Sequence, residues 1–181
     1  MSSKVTIHMV SSLDGFIARR DNSLSWFEMT SHFEEGIELT DEEIAAFLAS
    51  IDCYVLGSRT YEQALAIGWP YGEKPVVVVT SRELPSDRST VEFHHGELEQ
   101  LVDEVLRPQY ANIWVGGGAH LTKQFLQHGL ADEIIISFLP ILLGDGQLFF
   151  DFIGRELPLH LKDVTTFKTG MVEMTYEVKR G

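Results

Sequence analysis

The chain has 181 residues, 44% of them hydrophobic, which suits one folded domain over residues 1–181 and argues against disorder. Its 14 Lys and Arg against 27 Asp and Glu give a net charge of −13, which disfavours nucleic acid and anionic membranes as partners. The single cysteine, Cys53, permits no intrachain disulfide, and no apolar run reaches the roughly 20 residues of a membrane span. We therefore expect a cytoplasmic protein in which Cys53 is a buried core thiol.

Strands and helices alternate in the first part of the chain. A strand is predicted from Lys4 to Val10, where β-branched residues are frequent. After an irregular stretch, Thr40 and Glu43 have the spacing of a capping box that begins an amphipathic helix. A short buried strand follows at Cys53–Leu56, and Gly57–Thr60 leads into a second helix.

The middle of the chain continues this alternation. The run Val76–Val79 is apolar at successive positions, so both of its faces should be covered, as in a parallel sheet. An amphipathic helix is predicted at Leu98–Leu106 and should stop at Pro108. Ile113–Val115 is the next strand, and the glycines after it open a helix that closes near Gly129.

Strands dominate the C-terminal part. One is predicted from Ile134 to Leu139, and an antiparallel pair is predicted at Leu159–Phe167 and Met171–Val178. The whole pattern predicts an α/β fold: a central mixed, mostly parallel sheet flanked by helices, with an antiparallel C-terminal edge. It does not predict the order of the strands.

Three strand–turn–helix junctions could bind phosphate, because helix N-termini present free N–H groups. The first is Gly116-Gly117-Gly118, whose alternative role is tight strand–helix packing. The second is Ser58-Arg59-Thr60, which could instead be a helix cap with a solvated arginine. At the third, Ser81-Arg82, the arginine could bind a 2′-phosphate or lie free in a loop. Together they favour a dinucleotide.

A set of short motifs in a fixed order gives the chain a family resemblance. It resembles the dihydrofolate reductase superfamily, and within it the stand-alone relatives of the reductase domain of the riboflavin-pathway bifunctional deaminase-reductase. The motifs that carry the resemblance are Ser12–Ala18, Leu24–Trp26, Val55–Glu62, Pro75–Arg82, Trp114–His120, Phe125–Leu126 and Leu139–Gly146.

The resemblance implies a dihydrofolate reductase-like fold, an NADPH cofactor across the strand ends and a homodimer. The implied reaction is hydride transfer to a small heterocyclic substrate, either a 5-amino-6-(5-phosphoribosylamino)uracil-like compound or a pteridine such as dihydrofolate. No metal site is expected. The implied cofactor-binding residues are Leu13, Gly57, Ser58, Arg59, Thr60, Ser81, Arg82, Val115, Gly116, Gly117, Gly118, Ala119, His120 and Leu121.

The catalytic assignment concerns Asp14 and Trp26, which the resemblance places beside the nicotinamide and substrate, and Glu28, a candidate for the substrate carboxylate. Asp14 could orient the substrate or relay a proton, or it could simply be a turn residue. Dihydrofolate reductases carry a carboxylate five residues after the loop tryptophan, where this chain has Ser31; Glu28, Glu34 or Glu35 could substitute. No histidine stands out as a proton donor. This departure leaves a second hypothesis, a non-catalytic NADP(H)-binding or ligand-sensing module.

Overall fold

The computed structural model describes residues 3–179, and within them one large sheet organises the chain. Its strands are β1 (Lys4–Ser12), β3 (Cys53–Gly57), β4 (Val76–Val79), β5 (Val91–His94), β6 (Asn112–Val115), β7 (Glu133–Leu139), β9 (Leu159–Thr166) and β10 (Val172–Val178). They lie in the order β5-β4-β3-β6-β1-β7-β10-β9. A separate antiparallel pair joins β2 (Phe16–Ala18) to β8 (Gln147–Leu148).

The strand directions confirm the predicted fold class. Every pairing from β5 across to β7 is parallel, with β1 in the middle between β6 and β7. β10 runs antiparallel to β7, and β9 runs antiparallel to β10. The six parallel strands therefore present their carboxyl ends at one edge of the sheet, where an open α/β sheet binds ligands.

Helices cover both faces of the sheet. They are a 3-10 turn at Ser25–Glu28, α1 (Asp41–Ser50), α2 (Ser58–Ile67), α3 (Leu98–Gln100), a π-helical stretch Leu101–Leu106, α4 (Arg107–Gln109) and α5 (Ala119–Gln127). The predicted capping box of α1 is confirmed, since Thr40 and Glu43 bond each other's backbone and side chain. None of the described helices is long and apolar enough to cross a membrane.

Alternation along the central strands produces two cores, one on each face. Ile7, Val55 and Val115 belong to the core under α5 and the Leu98–Gln109 helical stretch. Leu56 and Val78 belong to the core on the α2 side. Cys53 is fully buried, as predicted, and burial raises the pKa of its thiol to about 12. It is therefore a core residue and not a reactive nucleophile.

One local prediction is wrong, and one strand was not predicted. The helical stretch does not stop before Pro108 but continues to Gln109, because Pro108 lies in the first turn of α4, directly after the π-helical residues. There the wide turn bonds Arg107 N–H to Val102, so the missing N–H of proline interrupts only the last turn. In addition, the sequence did not predict the strand Val91–His94.

The apolar stripe of α1 is only partly covered within the described chain, where Phe47 packs edge-on against Trp114 with the ring centroids 4.9 Å apart. The helix forms as the spacing predicts, yet none of its residues is buried. Ile44, Phe47 and Leu48 are 38%, 41% and 42% exposed. A helix normally buries such a stripe against its own core, so this face is available to another surface.

Candidate active site

The two glycine-bearing turns after β3 and β6 lie side by side. Gly57 N–H donates to the Gly117 carbonyl (2.9 Å), and Gly116 N–H donates to the Val55 carbonyl (3.0 Å). A Cβ placed on Gly118 would lie 3.7 Å from Thr60 Oγ1. The first and second predicted phosphate junctions therefore belong to one cleft, as neighbouring parallel strands require.

The helices that follow these two turns begin without a side-chain cap. α2 starts after Gly57 and α5 starts after Gly118, and neither glycine can supply a capping oxygen. Thr40 does cap α1. The first N–H groups of α2 and α5 are thus free to bind an external acceptor, and both helix dipoles favour an anion there.

The cleft between these helices has a volume of about 1060 Å³ and spans the carboxyl ends of the central strands. Part of its lining consists of polar groups of the two turns and of the first residues of α2 and α5. Another part is largely apolar and aromatic and includes a histidine from β1: His8, Ile17, Leu24, Phe27, Ile67, Tyr71 and Trp114. Tyr71 is neutral at ordinary pH because burial raises the pKa of its hydroxyl to about 12.

A second hollow of about 890 Å³ continues the cleft toward β5. It shares Ser58, Arg59 and His120 with the first, so the two form one elongated depression. Ser81 and Arg82, the third predicted junction, line its far end, as do His94, His95 and His128. The three junctions inferred from the sequence therefore lie along one continuous path, long enough for an extended ligand.

Arg82 is not free in this hollow. Its guanidinium donates to both carboxylate oxygens of Glu62 on α2, at 2.8 and 3.2 Å. This pair lowers the pKa of Glu62 through the hydrogen bond with Arg82, so the carboxylate stays ionised. A phosphate bound by Arg82 would have to share the guanidinium with Glu62, or displace that carboxylate.

The predicted cofactor residues divide into those that line the cleft and those that do not. Gly57, Ser58, Arg59, Thr60, Gly116, Gly118, Ala119, His120 and Leu121 line the main cleft, and Ser81 and Arg82 line its extension. Leu13 is 66% exposed outside the cleft, and Val115 is fully buried in the core. Gly117 faces Met9, whose Cε would lie 2.8 Å from a Cβ at that position. These three residues shape the turns but do not line the cavity.

Asp14 acts as a brace between two loops. Its carboxylate accepts hydrogen bonds from Ser12 Oγ (2.6 Å), Leu143 N–H (3.1 Å) and Gly144 N–H (2.7 Å). Burial raises the pKa of this carboxyl, but the three hydrogen bonds outweigh it and the pKa is lowered. With its oxygens so engaged and no place in the cleft lining, Asp14 is better suited to holding the 141–144 loop than to relaying a proton.

The other predicted catalytic residues also lie outside the cleft lining. Trp26 is fully buried, and its indole N–H finds no partner among the described residues. Its neighbours in the 24–28 turn, Leu24 and Phe27, are the ones that reach the cleft, while Glu28 is exposed. Ser31 is exposed as well, and Glu34 pairs with His32 at the surface. The loop thus supplies apolar wall and no carboxylate to the cleft.

A residue that the sequence analysis missed is His8. Strand β1 places it one residue beyond Ile7, which pairs with Val115, so His8 lies level with the three-glycine turn. Its ring stands edge-on against Trp114, with the ring centroids 4.7 Å apart. The available signal was strand alternation: a histidine between buried Ile7 and Met9 must face the other side of the sheet.

Comparison with known proteins defines the class. The model of the RibD C-terminal domain family matches residues 3–173. The chain therefore belongs to this family, which confirms the resemblance and the fold expected from the sequence.

Individual relatives are similar over different extents. The uncharacterized protein YwjB of Bacillus subtilis is 31% identical over 170 residues, covering 92% of this chain and 94% of that protein. The riboflavin biosynthesis protein RibD of Corynebacterium ammoniagenes is 27% identical over 157 residues, covering 78% of this chain but 44% of that protein. This chain thus corresponds to one part of the longer RibD protein.

Solved structures agree on the fold. A provisional riboflavin biosynthesis protein of Shewanella sp. PV-4 superposes with a TM-score of 0.84 at 24% identity, covering 98% of this chain and 99% of that one. The diaminohydroxyphosphoribosylaminopyrimidine deaminase/5-amino-6-(5-phosphoribosylamino)uracil reductase of Thermotoga maritima superposes with a TM-score of 0.69 at 15% identity. That match covers 98% of this chain and 57% of the bifunctional enzyme.

Proposed function

We propose that this protein is an NADPH-dependent oxidoreductase that reduces a small heterocyclic substrate. The observation that carries the proposal is the pair of uncapped helix N-termini that meet across the Gly57–Gly117 hydrogen bond. Two free N-termini in one cleft suit a diphosphate, which needs several N–H donors and favourable dipoles. Membership of the RibD C-terminal domain family supports the same conclusion.

The residues of the cleft fit the parts of the cofactor. Backbone N–H groups at the starts of α2 and α5 would bind the diphosphate, with Arg59 beside them. Ser81 and Arg82 would bind the 2′-phosphate in the extension, and four histidines line the same hollow. When bound, NADPH supplies the hydride from its nicotinamide ring. The chain's own contribution is to hold the two reactants against each other in one cleft.

The apolar and aromatic part of the cleft, to which we assign the substrate, favours a planar heterocycle. Trp114, Phe27 and Tyr71 line it, and such aromatic walls stack on flat rings. Among the described residues that line this main cleft, Arg59 is the sole Lys or Arg. It lies in the first turn of α2, beside the proposed diphosphate site. A phosphoribosylated pyrimidine would leave its phosphate without a basic partner in the apolar and aromatic part. We therefore favour a pteridine or another unphosphorylated ring over the ribosylaminouracil substrate.

Titration of purified protein with NADPH, followed by cofactor fluorescence, tests the binding half of the proposal. Saturable binding at micromolar cofactor is expected. Absence of binding at millimolar NADPH would contradict it. The chemical half is tested by NADPH oxidation with dihydrofolate, ribosylaminopyrimidine and quinone-like acceptors, where turnover of an unphosphorylated ring is expected.

A non-catalytic NADP(H)-binding or ligand-sensing module is the second candidate. It is favoured by the 24–28 loop, which contributes no carboxylate to the lining of the cleft. NADPH binding without turnover of any acceptor in the panel would support the sensor over the reductase.

We also propose that the protein is a homodimer in the cytoplasm. The support is the partly open face of α1, where Ile44, Phe47 and Leu48 stay 38%, 41% and 42% exposed. A second copy that packs on this face would bury the stripe.

A further inference from the structure

His8 lines the main cleft among its apolar and aromatic side chains. It lies on β1 beside Trp114, and Phe47 of α1 packs edge-on against it with the ring centroids 6.3 Å apart. Its side chain is 20% exposed, so it reaches the cavity while most of it is held by neighbours. A titratable group in this position can contact a bound ring directly.

A chain of hydrogen bonds connects His8 to a carboxylate. Nε2 of His8 lies 3.1 Å from Ser137 Oγ on β7, and Ser137 Oγ donates to Glu173 Oε2 on β10 at 2.7 Å. Nε2 also lies 3.5 Å from the same carboxylate oxygen. Strand register brings the three together: Ser137 pairs with Glu173 of β10 and with Val10 of β1, and His8 lies two residues before Val10 on the same face of β1.

The direction of these bonds assigns the proton on the imidazole. The hydrogen bond with His8, and then that with Ser137, lowers the pKa of Glu173 despite its burial, so Glu173 is an acceptor. Ser137 gives its only proton to Glu173 and must accept from His8 Nε2–H. Nδ1 makes no hydrogen bond with any residue from 3 to 179. It is therefore the nitrogen available to a ligand.

The charged surroundings of His8 are simple. Glu173 is the charged group that faces it from β10, while β7 contributes Ser137, β6 contributes Trp114 and α1 contributes Phe47. The acidic residues of α1 lie in its first turn, where Glu43 is bound to Thr40. Arg59 lines the cleft in the first turn of α2, beside the proposed diphosphate site. A carboxylate behind an imidazole stabilises its protonated form, as required of an acid.

We propose that His8 is the catalytic acid of this protein, positioned by Glu173 and Ser137, and that its Nδ1–H protonates the heteroatom of a C=N or C=O bond in the substrate. The inference rests on the proposed reductase function. A bound reduced nicotinamide would supply a hydride to the carbon of that bond and would be left oxidised. His8 gives the proton to its nitrogen or oxygen, the π bond breaks, and the imidazole regains its proton from solvent.

Tryptophan fluorescence tests the His8–Glu173 coupling without any turnover. A protonated imidazole in contact with Trp114 quenches its emission, so emission should rise in a step as pH increases. His8→Gln should abolish this step, and Glu173→Gln should move it to lower pH because a protonated imidazole loses its carboxylate partner. His32→Gln removes a surface histidine of the His32–Glu34 pair and should leave the step unchanged.

Kinetics test the role of His8 in the reaction. With NADPH and the acceptor that wild type reduces, His8→Gln should lower kcat about 100-fold or more, with NADPH affinity unchanged. The kcat of wild type should fall at alkaline pH, and Glu173→Gln should move that limb lower by the same amount as the fluorescence step. Ser137→Ala should give a smaller shift in the same direction, since Nε2 also faces Glu173 directly.

The outcomes separate this inference from the proposed function. A wild type that reduces its acceptor, with His8→Gln within threefold of it, would overturn the role of His8 and leave the reductase intact. A fluorescence step that Glu173→Gln does not move would overturn the positioning role. A wild type that binds NADPH but reduces no acceptor would overturn the reductase itself, and the acid with it.

Discussion

The sequence predicted the position of Arg82 correctly, but its neighbour Glu62 already occupies the guanidinium. Arg82 lines the extension of the cleft where a 2′-phosphate is expected, but its two terminal guanidinium nitrogens both bond Glu62. The pair is about half exposed, so its own contribution to stability is small. We expect Arg82 to matter mainly for selectivity between NADPH, which carries the 2′-phosphate, and NADH, which does not.

Replacing Arg82 with alanine should therefore weaken NADPH about 10- to 100-fold and NADH less than about threefold, since a charge-assisted bond to phosphate is lost only with NADPH. Fluorescence titration of both cofactors measures this. The matched variant is Glu62→Gln, which frees the guanidinium and should tighten NADPH a few-fold. Equal losses for the two cofactors in Arg82→Ala would show that Arg82 does not bind the 2′-phosphate.

Asp14 provides a second prediction at the residue scale. Asp14→Ala removes the acceptor for Leu143 and Gly144 N–H, so the free energy of unfolding should fall by about 1–3 kcal/mol. Urea unfolding gives the value. Asp163→Ala, at an exposed position of β9, is the control and should change stability by less than about 0.5 kcal/mol. If Asp14→Ala kept full stability but lost all turnover, a direct catalytic role would replace the brace.

At the scale of elements, one carboxylate ties three strands together. Glu133 begins β7, is 5% exposed, and binds Lys4 of β1 at 2.8 Å and Lys162 of β9 at 2.6 Å. Burial raises the pKa of this carboxyl, but the bonds with Lys162 and Lys4 outweigh it, so the pKa is lowered below 4.5. The antiparallel edge is thereby joined to the parallel part by charge as well as by backbone bonds.

The sign of the resulting pH dependence follows from linkage. Because the folded pKa lies below the unfolded one, Glu133 contributes stability above about pH 4.5, and that contribution is lost as pH falls through the folded pKa. Glu133→Gln should therefore lower the free energy of unfolding by about 1–3 kcal/mol at pH 7. The difference from wild type should shrink in acid. Urea unfolding at pH 7 and below pH 4 measures this, and a constant difference would contradict the assignment.

At the scale of the whole molecule, packing within a single chain does not explain the exposure of the apolar stripe of α1, formed by Ile44, Phe47 and Leu48. We expect a homodimer in solution, measured by light scattering after size exclusion. Leu48→Lys on this face should shift the protein to monomer, because a charge would be buried at the interface. Leu65→Lys, at a similarly exposed leucine of α2, is the matched control and should remain dimeric. A monomeric wild type at micromolar concentration would contradict the proposal.

Local chemistry was enough to predict much of this protein. The capping box at Thr40, the burial of Cys53 and the Gly116–Gly118 turn depend on residues close in sequence, so pattern and composition reveal them. The mostly parallel sheet with its antiparallel end followed from the alternation of elements. The short edge strand Val91–His94 did not, because its alternation of apolar and polar residues extends over only four positions.

Only the tertiary structure decided which distant residues meet. His8 and Ser137 are 129 positions apart, and Ser137 and Glu173 are 36 apart, yet strand order makes them neighbours in one wall of the cleft. The same order separated Asp14 and Trp26 from the cavity and paired Arg82 with Glu62. Sequence periodicity determines which face of an element is apolar, whereas the pairing of strands depends on long-range packing that no local pattern encodes.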